Sequence, residues 1–101
     1  MNESIFKIEK GPRNKKYTAH IKNKSTQKIR KIHFGDKNYQ QYKDRTKLQL
    51  YAKKNHNTRK RMQNYYKRHS GTSNRKKAID LEKKKHGYNY NAKILSHMYL
   101  W

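Results

Sequence analysis

The chain has 101 residues, 28 of them Lys or Arg against 6 Asp or Glu, for a formal net charge of +22 at pH 7. That length allows one domain at most, and the lack of any cysteine excludes disulfides and thiolate metal sites. Self-repulsion at this charge opposes a compact state, so a polyanion is the expected partner: nucleic acid, an acidic protein lattice or an anionic membrane surface.

Hydrophobic residues make up only 31% of the chain, nine of them Tyr, and there is no Val. Any core is therefore thin for a domain of this size. Low hydrophobicity with high charge borders on disorder, yet Tyr, Ile and Trp recur in a pattern. No apolar run approaches the roughly 20 residues that span a bilayer. The first ten residues carry Glu3 and Glu9 and only a short Ile-Phe-Lys-Ile patch, unlike a signal peptide.

In chain order, Phe6 and Ile8 share one face of a short strand that Gly11 and Pro12 break. Residues 1–14 are thus an N-terminal extension or an edge strand, and residues 15–101 a single small basic domain. Tyr17, Ala19 and Ile21 alternate with polar neighbours, as do Ile32 and Phe34, which is strand periodicity. Residues 15–22 and 28–34 form an antiparallel hairpin around a polar turn at 23–27, and Gly35 and Asp36 stop it.

The second half is helical in character. Tyr39 and Tyr42 have the spacing of one helical turn, and Thr46 caps a short turn holding Leu48, Leu50 and Tyr51. Asn57 is the expected N-cap of a helix over 58–69, where Met62, Tyr65, Tyr66 and His69 form one stripe at i, i+3, i+4 and i+7. Gly71 ends it. Ser73 starts another helix to about residue 85, with Ala78, Ile79 and Leu81 as its apolar contacts and Asp80–Lys84 as an i,i+4 pair. Gly87 closes that helix. Ile94, Leu95, Met98 and Trp101 then recur at helical spacing in the most apolar stretch of the chain. The fold class expected is α+β: a small two- or three-stranded antiparallel sheet followed by three or four short helices.

Catalytic groups are hard to assemble. In His33-Phe34-Gly35-Asp36, Phe34 fills core, Gly35 supplies a positive φ and Asp36 makes a turn hydrogen bond; a His33–Asp36 acid/base pair would need a second catalytic group. The six histidines are spread too widely for a zinc site, and no two acids form a pair for acid/base work. A nuclease-like set of His33, Asn57 and His69 rests on arbitrary spacing. Neither enzyme activity nor a cofactor or metal is expected.

Polyanion contacts are expected from Lys28, Arg30 and Lys31 in the hairpin, from Arg59, Lys60, Arg61, Lys67 and Arg68 on the clearest helix, and from Arg75, Lys76 and Lys77 on the next. Tyrosines interleave with this charge and serve the core or an interface in preference to base stacking. The stripe Ile94, Leu95, Met98 and Trp101 is too apolar for water and is expected at a partner interface in preference to the chain's own sheet.

The run HFGD at 33–36, followed by Tyr39, Tyr42, Asp44, Leu48, Tyr51, Asn57, Arg61 and Tyr65, then RHSG at 68–71 and a terminal Ser96 to Leu100-Trp101, resembles a family of small basic proteins. These are encoded by nucleocytoplasmic large DNA viruses of algae and amoebae. The resemblance covers residues 15–71 and 91–101. The chain departs from it at 72–90, a lysine-rich spacer, and at Ile94 and Leu95, where the family is more aromatic. It implies a virion-associated protein, met in the particle and in the cytoplasm or nucleus of the infected cell, and carries no activity. Phe34, Gly35, Tyr39, Tyr42, Arg68, His69 and Trp101 become fold determinants, with Arg68 and His69 alternatively holding an anion.

The function expected is a virion structural protein, a minor capsid or internal component bound to acidic capsid surfaces or to the packaged genome. Its partners would be other virion proteins, nucleic acid or both, with no small-molecule substrate and no membrane span. A non-specific viral DNA-condensing protein and a ribosomal-type RNA binder are the alternatives.

Overall fold

The computed structural model describes residues 2–101. Three strands open the chain: β1 (Glu3–Lys10), β2 (Lys15–Asn23) and β3 (Ile29–Asp36). They form an antiparallel meander in the order β1-β2-β3. A 3-10 turn at Ala52–Lys54 follows, then α1 (Arg59–Ser70), α2 (Arg75–Lys85) and α3 (Ala92–Tyr99). This is the expected α+β arrangement, and β1 is an edge strand of the sheet. Among the described residues no helix is long and apolar enough to cross a membrane.

Alternation places Tyr17, Ala19 and Ile21 of β2 on one face beside Phe34 of β3, all fully buried. Tyr17 pairs with Phe34 and Ala19 with Ile32 in the register. Fully burying a side chain of this class contributes about 1.5–3 kcal/mol, so a few such residues carry much of this small fold. β1 departs from simple alternation. A bulge between Ile5 and Lys7 shifts the register, so that Ile5 sits opposite Ile21 and Ile8 opposite Ala19. Both therefore pack on the core, while Phe6, expected to share a face with Ile8, is 53% exposed. The extra residue of a bulge reverses the face of everything beyond it.

Arg30 binds Glu3 through two hydrogen bonds, Nε to Oε2 at 2.8 Å and Nη2 to Oε1 at 2.9 Å. The pair bridges the two outer strands across β2. Glu3 Oε1 also accepts from the Tyr90 backbone N–H at 2.8 Å, just ahead of α3. Hydrogen bonding from Arg30 is the main reason the Glu3 carboxyl stays below its usual pKa.

The helices begin and end on local signals. Asn74 and Asn91 cap α2 and α3, accepting from the N–H groups of Lys77 and Ile94. Thr58, not Asn57, is the N-cap of α1 and makes no side-chain cap bond; Asn57 instead takes a positive φ of 52°. Gly71 ends α1 in the left-handed conformation. Asp80 and Lys84 form no ion pair among the described residues.

Residues 37–51 form no helical turn, against the spacing of Tyr39 and Tyr42. Their backbone is engaged at long range: Lys43 N–H donates to Leu100 O at 3.2 Å and Arg45 N–H to Tyr99 O at 2.8 Å. Gln41 bridges to Asn55 as an isolated parallel pair. Asp44 organises the segment. It is fully buried, and its carboxylate accepts from the Tyr17 hydroxyl (2.5 Å), the Thr46 hydroxyl (2.6 Å) and the N–H groups of Thr46 (3.0 Å) and Tyr51 (3.2 Å). The Thr46 hydroxyl in turn accepts from Gln49 N–H at 3.3 Å, the short turn expected there.

Two apolar clusters meet at the C-terminus. Tyr17, Ala19, Ile21 and Phe34 of the sheet pack with Leu95 and Leu100, while Tyr65 and Tyr66 of α1 pack with Ala78 of α2. Trp101 touches both clusters and stacks on Tyr65 with ring centroids 4.1 Å apart. Ile94 and Leu95, expected at a partner interface, are instead fully buried inside the protein. A sheet with so few aliphatic residues takes Leu95, with Leu100, as its second layer. The molecule measures 40 × 28 × 19 Å.

Candidate anion-binding cleft

A cleft of about 490 Å³ opens between the end of the hairpin, α1 and the C-terminal residues. The sequence places its parts by simple rules. Arg61, Tyr65 and Arg68 are spaced i, i+4 and i+7 on α1, hence on one helical face. All three line the cleft, together with His69. Gly35 has a φ of +79°, and an added Cβ there would lie 2.7 Å from Leu100 Cδ1. Glycine is therefore required where the chain leaves β3 towards Asp36, Tyr39 and Gln40 of the cleft lining. Asp36 Oδ1 accepts from Asn38 N–H at 2.8 Å, the turn bond expected of that residue.

Lys16 is the fourth element. Its side chain is almost fully buried, and its ammonium donates to Tyr39 O at 2.7 Å and to Gln41 Oε1. Burial, with nearby Lys54 adding to it, lowers its pKa to about 8. The ammonium fixes the backbone at Tyr39 while leaving that ring 68% exposed. Arg61 Nη1 donates to Gln40 Oε1 at 2.9 Å, which ties α1 to the same loop. The cleft lining thus holds Lys16, Arg61 and Arg68 with one carboxylate, that of Asp36, while Lys16 also feels the buried Asp44. The His69 pKa is lowered by burial and then by Arg68 and Lys93. Such a lining favours a bound anion, with aromatic rings beside it.

The expected polyanion contacts fall into three groups. Arg61 and Arg68 come together in the cleft. Lys28, Lys31, Arg59, Lys60, Lys67, Lys76 and Lys77 are exposed elsewhere on the surface. Arg30 and Arg75 are engaged internally, Arg30 by Glu3 and by Tyr90 O at 2.6 Å, and Arg75 by Met98 O at 2.9 Å. Each ties separate elements together, and a guanidinium so held presents less of its fork to a phosphate. Of the expected partner stripe, Met98 and Trp101 are partly buried and keep some surface accessible. Lys16 and the Tyr39 ring were missed as site residues. The i,i+7 relation of Arg61 and Arg68 was readable, but nothing local marks Lys16 as buried.

A second polar cluster lies between the helices. His97 is fully buried, with Nδ1 2.9 Å from the Tyr65 hydroxyl and Nε2 2.9 Å from Ser70 Oγ. Ser70 Oγ lies 3.0 Å from Glu82 Oε1, which Lys93 also approaches at 3.2 Å. A carboxylate only accepts, so Ser70 donates to Glu82, His97 Nε2–H donates to Ser70, and the Tyr65 hydroxyl donates to Nδ1. The carboxylate is thus bonded to the serine and not to the histidine, which is the wrong order to orient a histidine as base for a serine nucleophile. The cluster joins α1, α2 and α3. Burial lowers the His97 pKa to about 4, against an opposing pull from Glu82. No group of three potential metal ligands occurs among the described residues.

Compared with family models, with curated proteins and with solved structures, the chain finds no match.

Proposed function

We propose that this protein is a basic structural component of a large DNA virus particle that holds nucleic acid through phosphate contacts. One observation carries the binding half of this reading. Of the 28 Lys and Arg residues, only Lys7, Arg30 and Lys93 lie within salt-bridge distance of a carboxylate among the described residues. Apart from the buried Lys16 and the internally bonded Arg75, most of the remaining positive charge is left for an external polyanion, and nucleic acid releases counterions for each phosphate neutralised. The inward packing of Ile94 and Leu95 takes two of the four residues from the apolar stripe that favoured a capsid lattice and leaves only Met98 and Trp101 partly accessible, so the packaged genome is the preferred partner. The viral half rests on the resemblance in residue order over residues 15–71 and 91–101.

Two measurements test it. Duplex DNA binding over a range of salt should give a slope of log K on log salt of about −7 if roughly eight phosphates are engaged; affinity unchanged by salt overturns the binding half. Purified particles opened at low salt should release the protein with the genome and free it from DNA at high salt. Retention on the empty shell, or absence from particles, overturns the assignment.

A further inference from the structure

We propose that the cleft between α1 and the 36–40 loop is a site for one unpaired nucleotide unit, with Arg61 and Arg68 taking phosphate and the exposed Tyr39 ring taking the base. The inference rests on the nucleic-acid reading above and narrows it to a particular place and strand state. The general surface charge does not distinguish duplex from single strand, whereas the cleft does.

The geometry supplies three reasons. Arg61 and Arg68 stand two helical turns apart, about 10 Å along the axis, on either side of Tyr65. Two guanidinium groups lining one cleft suit phosphate oxygens better than point charges do; Arg61 gives Nη1 to Gln40 Oε1 and exchanges that bond for phosphate on binding. Tyr39 is 68% exposed while its carbonyl is held by the buried Lys16 ammonium at 2.7 Å. Its ring is therefore free at its faces while its backbone is anchored, the form of a stacking platform. The volume of about 490 Å³ lies within the range of small-ligand sites. A base paired within a duplex has both faces covered by its neighbours and cannot stack on Tyr39 without leaving the helix.

Trp101 provides the readout. It is the chain's only tryptophan, it lines the cleft, and it stacks on Tyr65 at 4.1 Å. The full chain is titrated at fixed ionic strength with inorganic phosphate, deoxyadenosine monophosphate, a 5′-phosphorylated deoxyadenosine pentanucleotide and a duplex, following Trp101 fluorescence and, separately, duplex affinity. The proteins compared are the native chain, Arg61→Gln with Arg68→Gln, Tyr39→Ala, and a control of equal charge loss on α2, Lys84→Gln with Lys85→Gln.

The pentanucleotide should give a saturable Trp101 response, at least tenfold weaker in affinity in the arginine pair variant and in Tyr39→Ala, and changed less than twofold in the control. Duplex affinity should fall equally in the two double variants. A response to the monophosphate as strong as to the pentanucleotide assigns a free nucleotide as ligand, and a response needing the strand assigns nucleic acid. Inorganic phosphate acting as well as either overturns the nucleotide assignment. Duplex binding without any pentanucleotide response, or equal pentanucleotide losses in cleft and control variants, overturns the cleft proposal alone. Absence of duplex binding overturns the reading beneath it. If the arginine pair variant fails to fold, Tyr39→Ala decides the outcome, since that ring is outside the core.

Discussion

Acid should loosen the three-helix junction well before it titrates the carboxylates. His97 accepts the Tyr65 hydroxyl on Nδ1 and donates from Nε2 to Ser70, in a fully buried site. A second proton must enter at Nδ1, where the Tyr65 O–H already points, so the hydroxyl has to turn away or leave a buried donor opposed by another. Burial lowers the pKa from 6.5 in the unfolded chain to about 4 in the folded one. Between those values the unfolded chain binds more protons than the folded chain, so stability falls as pH falls. It is fully present above 6.5 and lost between 6.5 and 4. At about 1.4 kcal/mol per pH unit, the gap is worth about 3 kcal/mol. That is a large share of the roughly 5–15 kcal/mol typical of a domain. Urea unfolding at pH 7, 6, 5 and 4 measures the loss, with His97→Gln as reference because it keeps a donor for Ser70 but cannot take the proton. His56 and His69 also have lowered pKa values and act in the same window, so the difference between the two proteins isolates His97. Glu3 and Glu82, also lowered, lose their contribution only below about 4.5. Equal pH slopes in native and variant chains, or a His97 imidazole resonance titrating near 6.5, would refute the reasoning.

Other perturbations separate the elements of the fold. Asp44→Ala removes the acceptor of the Tyr17 hydroxyl and of the Thr46 and Tyr51 N–H groups at a fully buried position. It should cost about 3–5 kcal/mol in denaturant unfolding; a loss below 1 kcal/mol would mean that water replaces the carboxylate. Leu95→Ala should cost about 2–5 kcal/mol, and removal of residues 94–101 should leave a chain without dispersed amide resonances. A folded truncated chain would return those residues to the role of a partner interface.

The sheet was legible because strand patterning is local. Tyr17, Ala19 and Ile21 alternate without interruption, and so do Ile32 and Phe34. β1 misled at Phe6 because a bulge moves one residue out of register and leaves no compositional mark. The helices were legible from stripes and caps, though Thr58 displaced Asn57 by one position. The spacing of Tyr39 and Tyr42 suggested a turn that long-range bonds to Tyr99, Leu100 and Asn55 overrode. Periodicity could mark Ile94 and Leu95 as apolar but could not say what they bury against. Basic runs drew attention to neighbours in sequence, whereas the cleft selects Arg61 and Arg68 seven apart and joins them to Lys16 and Tyr39 from other elements. Asp44 was visible only as part of a residue order, since its hydroxyl partner Tyr17 lies 27 positions away.

The dimensions of the molecule set a loading density. Its net charge of +22 equals the phosphate charge on about 37 Å of duplex, at one phosphate per roughly 1.7 Å of axis. The longest dimension of the molecule is 40 Å. On the reading proposed above, copies laid end to end along a duplex would reach charge balance at about the spacing at which they touch, one copy to roughly 11 base pairs. A packing density measured in particles would then be set by charge and length together, with neither crowding nor excess charge limiting it first.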